Sequence, residues 1–180
     1  MRGRLAAVAA IAFAVLALAP AAGAASYDDR NALERRTVER INAVRRAHGL
    51  RPLRVVGRLA RAAERHAESM ARSSYFRHEL FTPARTRDWM PFGSWIRWYW
   101  PGPGYRSWSA GENLAWGAPR ISARQTVNRW MASPSHRANI LAPGWRNVAV
   151  GAVHVSDPRG YYGSWDDVTI VVAEFGRRSR

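Results

Sequence analysis

The chain reads as an α+β domain, and three observations predict it. Two stretches in the first half carry apolar residues at helical spacing, two in the last third alternate as strands, and a capping box opens a further helix between them.

From Tyr27 to His48 the residues Leu33, Val38, Ile41 and Val44 recur at helical period, with Asp28 and Asp29 near the start, where the helix dipole favours anions. Gly49 is placed to end this helix as a left-handed cap, and His48 in its last turn reads as a surface residue. After Arg51-Pro52-Leu53 a second helix is expected over about Gly57 to Ser73, with Leu59, Ala63, Ala67 and Met70 on one face. Its small residues imply close packing against a neighbour. His66 is placed one position off that stripe and reads as a structural histidine.

Tyr75 and Phe76 are expected to bury beside the second helix and so aim His78 away from solvent into a cleft. Residues 80–110 are the least regular part, broken by Pro83, Pro91, Pro101 and Pro103 and crowded with Trp89, Trp95, Trp98, Trp100 and Trp108. So much aromatic surface argues against disorder. The cluster either covers the core or forms a platform or lid for sugar rings or acyl chains, and at least one tryptophan is expected to border the cleft.

Gly111 to Gly117 reads as a strand with Leu114 and Trp116 on one side and Glu112 near its start. Ser122 and Gln125 match a capping box, and Val127, Trp130 and Met131 mark the buried face of the helix that follows. Pro134 stops that helix and pushes Ser133 towards an extended conformation. Ser135 is expected to cap a short helical turn carrying His136, pinned at its far end by Ile140 and Leu141. Asn147 to Val155 and Val168 to Phe175 read as strands, joined by the turn-rich Ser156 to Asp167. His154 is read as a sheet or surface residue. Glu174, near the end of the last strand, would need a partner if it faces the core, and is read as a neighbour of the site.

A chain of 180 residues supports one domain with a substantial core. Arg2 and Arg4, the apolar run Leu5 to Leu18, and Ala22-Gly23-Ala24 have the form of a secretory leader, shorter than a membrane span. The expected organisation is a leader over 1–24, a short segment over 25–32, the domain over 33–176 and a basic tail over 177–180, with no membrane span once the leader is cleaved. The sequence has no cysteine, which excludes disulfides, thiolate chemistry and cysteine-ligated zinc. Its formal charge of +15 is carried by arginine alone, without one lysine, and falls to +13 when Arg2 and Arg4 leave with the leader. Such a field favours polyanions, including wall polymers and anionic lipid, unless the charge is only a solvated, interspersed surface. Nucleic acid is not an expected partner of an exported protein.

Several blocks together resemble the CAP superfamily of cysteine-rich secretory, antigen-five and pathogenesis-related proteins, in its small secreted bacterial form. They are Ile41 to Arg45, Leu59 to Met70, Phe76-Arg77-His78, Gly111 to Ala115, Trp130 to Leu141 and Glu174-Phe175-Gly176, in the family's order from about Leu33 to Phe175. The resemblance implies an α-β-α sandwich, with three main helices around a small, mainly antiparallel sheet, and a cleft gathering two histidines and one or two glutamates. Carried over by position, these are His78, His136 and Glu112. Many eukaryotic members have a second glutamate soon after the first histidine, a place that neither Glu79 nor Asp88 clearly fills here.

Two imidazoles and a carboxylate permit three chemistries. His78 and His136 can bind zinc or another divalent cation, with Glu112 as third ligand or as the group orienting a bound water, and such a water could hydrolyse an amide or ester. Alternatively one histidine is a general base oriented by Glu112, although no Gly-x-Ser-x-Gly elbow supplies a serine nucleophile. The third possibility is a hydrogen-bonded core of a binding module. The functions that follow are an extracellular or wall-associated binding module for a wall polymer, lipid or other polyanionic or apolar ligand, or a metal-dependent hydrolase acting on extracellular peptide or wall material, with catalysis at His78, Glu112 and His136.

Overall fold

A computed structural model of the chain describes residues 27–82 and 89–180, and the side chains from residue 32 onward within the first helix. The leader over 1–24 and Asp88 therefore lie outside the described residues. In order, the elements are α1 (Tyr27–Ala47), β1 (Arg54–Val55), α2 (Gly57–Ser73), β2 (Leu80–Phe81), β3 (Trp89–Met90), α3 (Phe92–Trp95) with a 3-10 turn over Ile96–Trp98, and β4 (Ser107–Gly117). Then come α4 (Ala123–Ala132), α5 (Pro134–Leu141), β5 (Asn147–Ser156), a 3-10 turn over Gly160–Tyr162, and β6 (Asp167–Ser179).

The main sheet has the order β1-β5-β6-β4. β6 pairs antiparallel with both β5 and β4, while the two-residue β1 runs parallel to β5. Helices cover both faces, which makes the α-β-α sandwich. On one face Ala115, Val148, Val150, Ala152, Val171, Ala173 and Phe175 meet Ile41 of α1 and Val127, Trp130 and Ile140 of α4 and α5. On the other, Leu114, Val168, Ile170 and Val172 meet Ala63, Ala67 and Met70 of α2. Strand alternation sends successive side chains to opposite faces, so Glu112, Leu114 and Trp116 share the α2 side.

The helix ends follow their sequence signals in all but one case. Gly49, at φ 70°, closes α1, and the Leu50 amide donates to Arg45 O at 2.9 Å. Ser122 and Gln125 form both arms of the capping box of α4. Ser133 is extended before Pro134, as expected, but Ser133 and not Ser135 is the residue that precedes α5. Proline's fixed φ suits the first helical position, so the helix starts on Pro134 and Ser135 falls inside it. At the far end of α5 the buried Arg45 guanidinium donates to the carbonyls of Ile140 and Ala142, at 2.7 and 3.0 Å, tying α1 to α5. Arg177 to Ser179 are not a tail, because they continue β6 opposite Ser107 to Ser109.

Within the irregular segment, Trp95 and Trp100 are fully buried, whereas Trp89 and Trp98 remain exposed. Among the described residues no helix is long and apolar enough to cross a membrane.

The α2 layer seats on β5 at Gly151. A Cβ built there would lie 2.3 Å from Glu64 N and 2.4 Å from Ala63 C, which are backbone atoms that cannot move aside cheaply. Gly151→Ala is expected to destabilise the domain by about 2 kcal/mol or more, since overpacking typically costs about 1–3 kcal/mol. A lowered urea midpoint with an unchanged m value checks this.

Candidate functional site

The site is built around one carboxylate. Glu112 stands midway along β4, which begins at Ser107 and not at Gly111, on the α2 side, and cross-strand pairing sets it opposite Glu174 of β6. Its Oε2 lies 2.5 Å from His66 Nδ1 of α2, and its Oε1 lies 2.7 Å from His78 Nδ1 of the loop after α2. Both oxygens are thus taken by imidazoles. Burial opposes the charge on Glu112, but the hydrogen bonds from His66 and His78 outweigh it and hold the carboxyl below its ordinary range. Across the pair, Glu174 is driven the other way. Its complete burial, followed by the nearby Glu112 charge, raises it well above the usual carboxylate value, so it keeps its proton where Glu112 does not.

His66 departs furthest from its sequence reading. Its spacing of three from Ala63 and four to Met70 puts it within the apolar stripe, not beside it, and it is fully buried. A histidine inside such a stripe was the available signal. Glu174 had a comparable one, since it continues the series Val168, Ile170, Val172 on the face that meets α2.

His78 does not turn away from solvent, contrary to the expectation drawn from Tyr75 and Phe76. Its side chain is 54% exposed while that of Glu112 is 1% exposed. Tyr75 does bury, with its hydroxyl donating to Ser69 Oγ at 2.9 Å, but the chain then rises to the surface and His78 reaches back only through Nδ1. The Glu112 hydrogen bond is the largest influence on His78 and raises its pKa. Trp95 frames this corner, as expected of one tryptophan. Its indole N–H donates to His78 O at 3.1 Å, and its ring lies 4.8 Å from that of His66.

His136 reaches the site from the other layer. Its Nδ1 is 2.8 Å from Ser133 Oγ, and among the described residues it makes no hydrogen bond to Glu112 or His78. Burial, then the charge of His78, lowers its pKa, so the two rings are within electrostatic reach and His136 favours the neutral form. An asparagine pair fixes α5 here: Asn113 donates to His136 O at 3.0 Å, and Asn139 donates to Glu112 O at 3.0 Å and Asn113 Oδ1 at 2.9 Å. Because β4 is the sheet's edge strand, side chains from both helical layers can meet around it.

Of the other candidates, Glu79 makes no hydrogen bond to Glu112 among the described residues. His154 hydrogen-bonds Thr169 Oγ1 at 3.1 Å and lies 3.3 Å from Asp167 on the neighbouring strand, while exposed His48 folds back on Val44 O. Among the described residues, the acid and histidine side chains whose donor atoms gather within 4.8 Å of one another are His66, Glu112 and Glu174.

This sandwich, with histidines around an edge-strand glutamate, is that of the CAP proteins. The family described as the cysteine-rich secretory protein family matches residues 38–175, and the chain belongs to it. Among curated relatives, the uncharacterized protein YkwD of Bacillus subtilis (strain 168) is 33% identical over 124 residues, which are 68% of this chain and 43% of that protein. The chain thus spans less than half the length of that relative. An extracellular protein containing an SCP domain from Bacillus anthracis aligns with a TM-score of 0.63 at 22% identity, over 87% of this chain and 45% of that one. An outer surface protein from Borrelia burgdorferi aligns with a TM-score of 0.60 at 21% identity, over 79% of this chain and 90% of that one. These two are extracellular or outer-surface proteins, and at such identities they establish the fold.

The opposed carboxyls make a pH prediction. A carboxyl raised by folding contributes stability below its unfolded pKa that is lost as pH rises towards its folded value. For Glu174 that loss begins near the ordinary carboxyl value and continues upward. Glu174→Gln removes the titration, so the variant's stability relative to the parent should grow with pH above about 4.5, by at most about 1.4 kcal/mol per unit. Urea unfolding at a series of pH values in a chelating buffer measures the difference. A difference that stays flat with pH contradicts it.

Proposed function

We propose that this is an exported, wall-associated CAP module whose cleft holds a divalent cation between the Nε2 atoms of His78 and His136, with Glu112 orienting the first of them. The observation that carries this is the engagement of the other ring nitrogen in each case, by Glu112 for His78 and by Ser133 for His136. Metal-binding histidines characteristically have their second nitrogen hydrogen-bonded to a carboxylate or other oxygen, which sets the tautomer and aims the ring. Among the described residues neither Nε2 has a partner. Glu112 acts on this pair through His78, whose ring it orients. Two imidazoles, with positions left for water or ligand oxygen, suit zinc. When bound, the ion would supply Lewis acidity to a coordinated oxygen.

The surface supports a binding role. A pocket of about 350 Å³ is walled by Tyr75, Phe76, Phe81, Trp89 and Tyr161, with Arg77, the neighbour of His78, stacked 4.3 Å from the Trp89 ring. Such walls suit the apolar faces of sugar rings, and the guanidinium suits an acid group on them. A larger groove of about 810 Å³ between α1 and the start of α4 carries Arg36, Arg40, Arg120 and Arg124 over Leu33, Ile121 and Val153. Its charge favours an acidic wall polymer. Export itself is supported by the leader-like residues 1–24 and by the extracellular and outer-surface neighbours.

Calorimetric titration with zinc tests the reading. His78→Ala and His136→Ala are each expected to weaken the cleft's zinc binding at least tenfold; the metal-free melting temperature should stay within about 2 °C for His136→Ala and fall by about 3 °C or more for His78→Ala, which leaves one Glu112 oxygen unpaired. Unchanged heats in both variants would remove these residues from any ion site. Turnover of wall peptides or esters by the zinc-loaded parent, abolished in the same variants, would favour the hydrolase instead.

A further inference from the structure

Behind the cleft lies a group of polar atoms that the proposed pair does not use. His66 and Glu174 are fully buried and the Glu112 side chain is 1% exposed. Among the described residues, His66 Nε2 and both carboxyl oxygens of Glu174 have no hydrogen-bond partner. Native proteins rarely leave buried polar atoms unpaired, because each gives up its hydration with nothing in return. The two unpaired oxygens of one buried carboxyl, beside the His66 and Glu112 side chains, call for a ligand.

We infer that His66, Glu112 and Glu174 form a second, buried cation site that takes zinc and serves to lock α2 onto the sheet. Charge balance favours it. Two carboxylates and one neutral imidazole around a dication sum to zero, whereas the same two carboxylates without it can be buried only by keeping a proton. The donor set is one nitrogen and carboxylate oxygens, which suits zinc and is too small for calcium, with its six to eight oxygens. The donors lie within 4.8 Å of one another. Zinc bonds of about 2.0–2.2 Å set neighbouring donors about 3.4 Å apart, so the wider contacts draw in while the 2.5 Å His66–Glu112 contact opens, the ion taking the place of the proton between them. Each residue comes from a different element: α2, β4 and β6. An ion held by all three therefore ties the helix to two strands. The site is independent of the His78 and His136 pair except for sharing Glu112, so either can fail alone.

The test removes the outer pair first. In the His78→Ala/His136→Ala protein, one equivalent of zinc should still bind and raise the melting temperature by about 5 °C or more, because a ligand that binds only the folded state stabilises it. The ring nitrogen resonances of His66 should shift on zinc addition in that protein, a readout that leaves the inner residues untouched. Adding Glu174→Gln should abolish the zinc-dependent rise in melting temperature, and zinc uptake should fall at least tenfold. The inference is overturned if the outer-pair variant takes up no zinc, if the His66 resonances stay still, or if the Glu174→Gln protein gains the same stability from zinc.

Discussion

Glu112 lies among apolar layers where an isolated charge would be prohibitively costly, and it is tolerated because His66 and His78 each engage one of its oxygens. Those two histidines sit on α2 and just beyond its end, so satisfying Glu112 also sets where that helix and its following loop rest on the sheet. Asn113 and Asn139 do the corresponding work on the other face, holding α5 against the β4 backbone. Positioning of the site and packing of the sandwich are therefore one problem, solved by the same few polar contacts.

The pairing of Glu112 with Glu174 shows how environment divides identical groups. Both are glutamates on neighbouring strands and both are buried, yet one has two imidazole donors and the other has none among the described residues. Their protonation states separate as a result. Separation of this kind is common where a protein handles cations or protons, and here it lies one layer beneath the exposed His78.

The surroundings divide the molecule into a rigid interior and a receptive rim. Trp95 and Trp100 are packed away under residues 89–110, where they anchor a stretch rich in prolines and glycines. Trp89, Arg77 and Tyr161 stay at the surface around a shallow aromatic pocket. Absence of cysteine leaves the domain to depend on this core, on the close seating of α2 at Gly151, and on buried polar ties such as Arg45 to the end of α5.

Much of this was legible in the residues alone. Helical and alternating periods located the long elements, the Ser122 and Gln125 box and the Gly49 cap marked helix ends, and Pro134 marked the break before His136. These are local signals, decided within a turn of helix or a few residues of strand. Glu112 and His78 also emerged from the sequence, by resemblance to a known pattern. Only the tertiary structure decided that His66 faces inward, that Glu174 stands opposite Glu112, and that His78 stays in water. Each of those facts depends on strand register and on how far a helix rotates against a sheet. Such quantities are set by contacts between residues distant along the chain, 34 positions apart for His78 and Glu112 and 46 for His66 and Glu112, on which short-range spacing is silent.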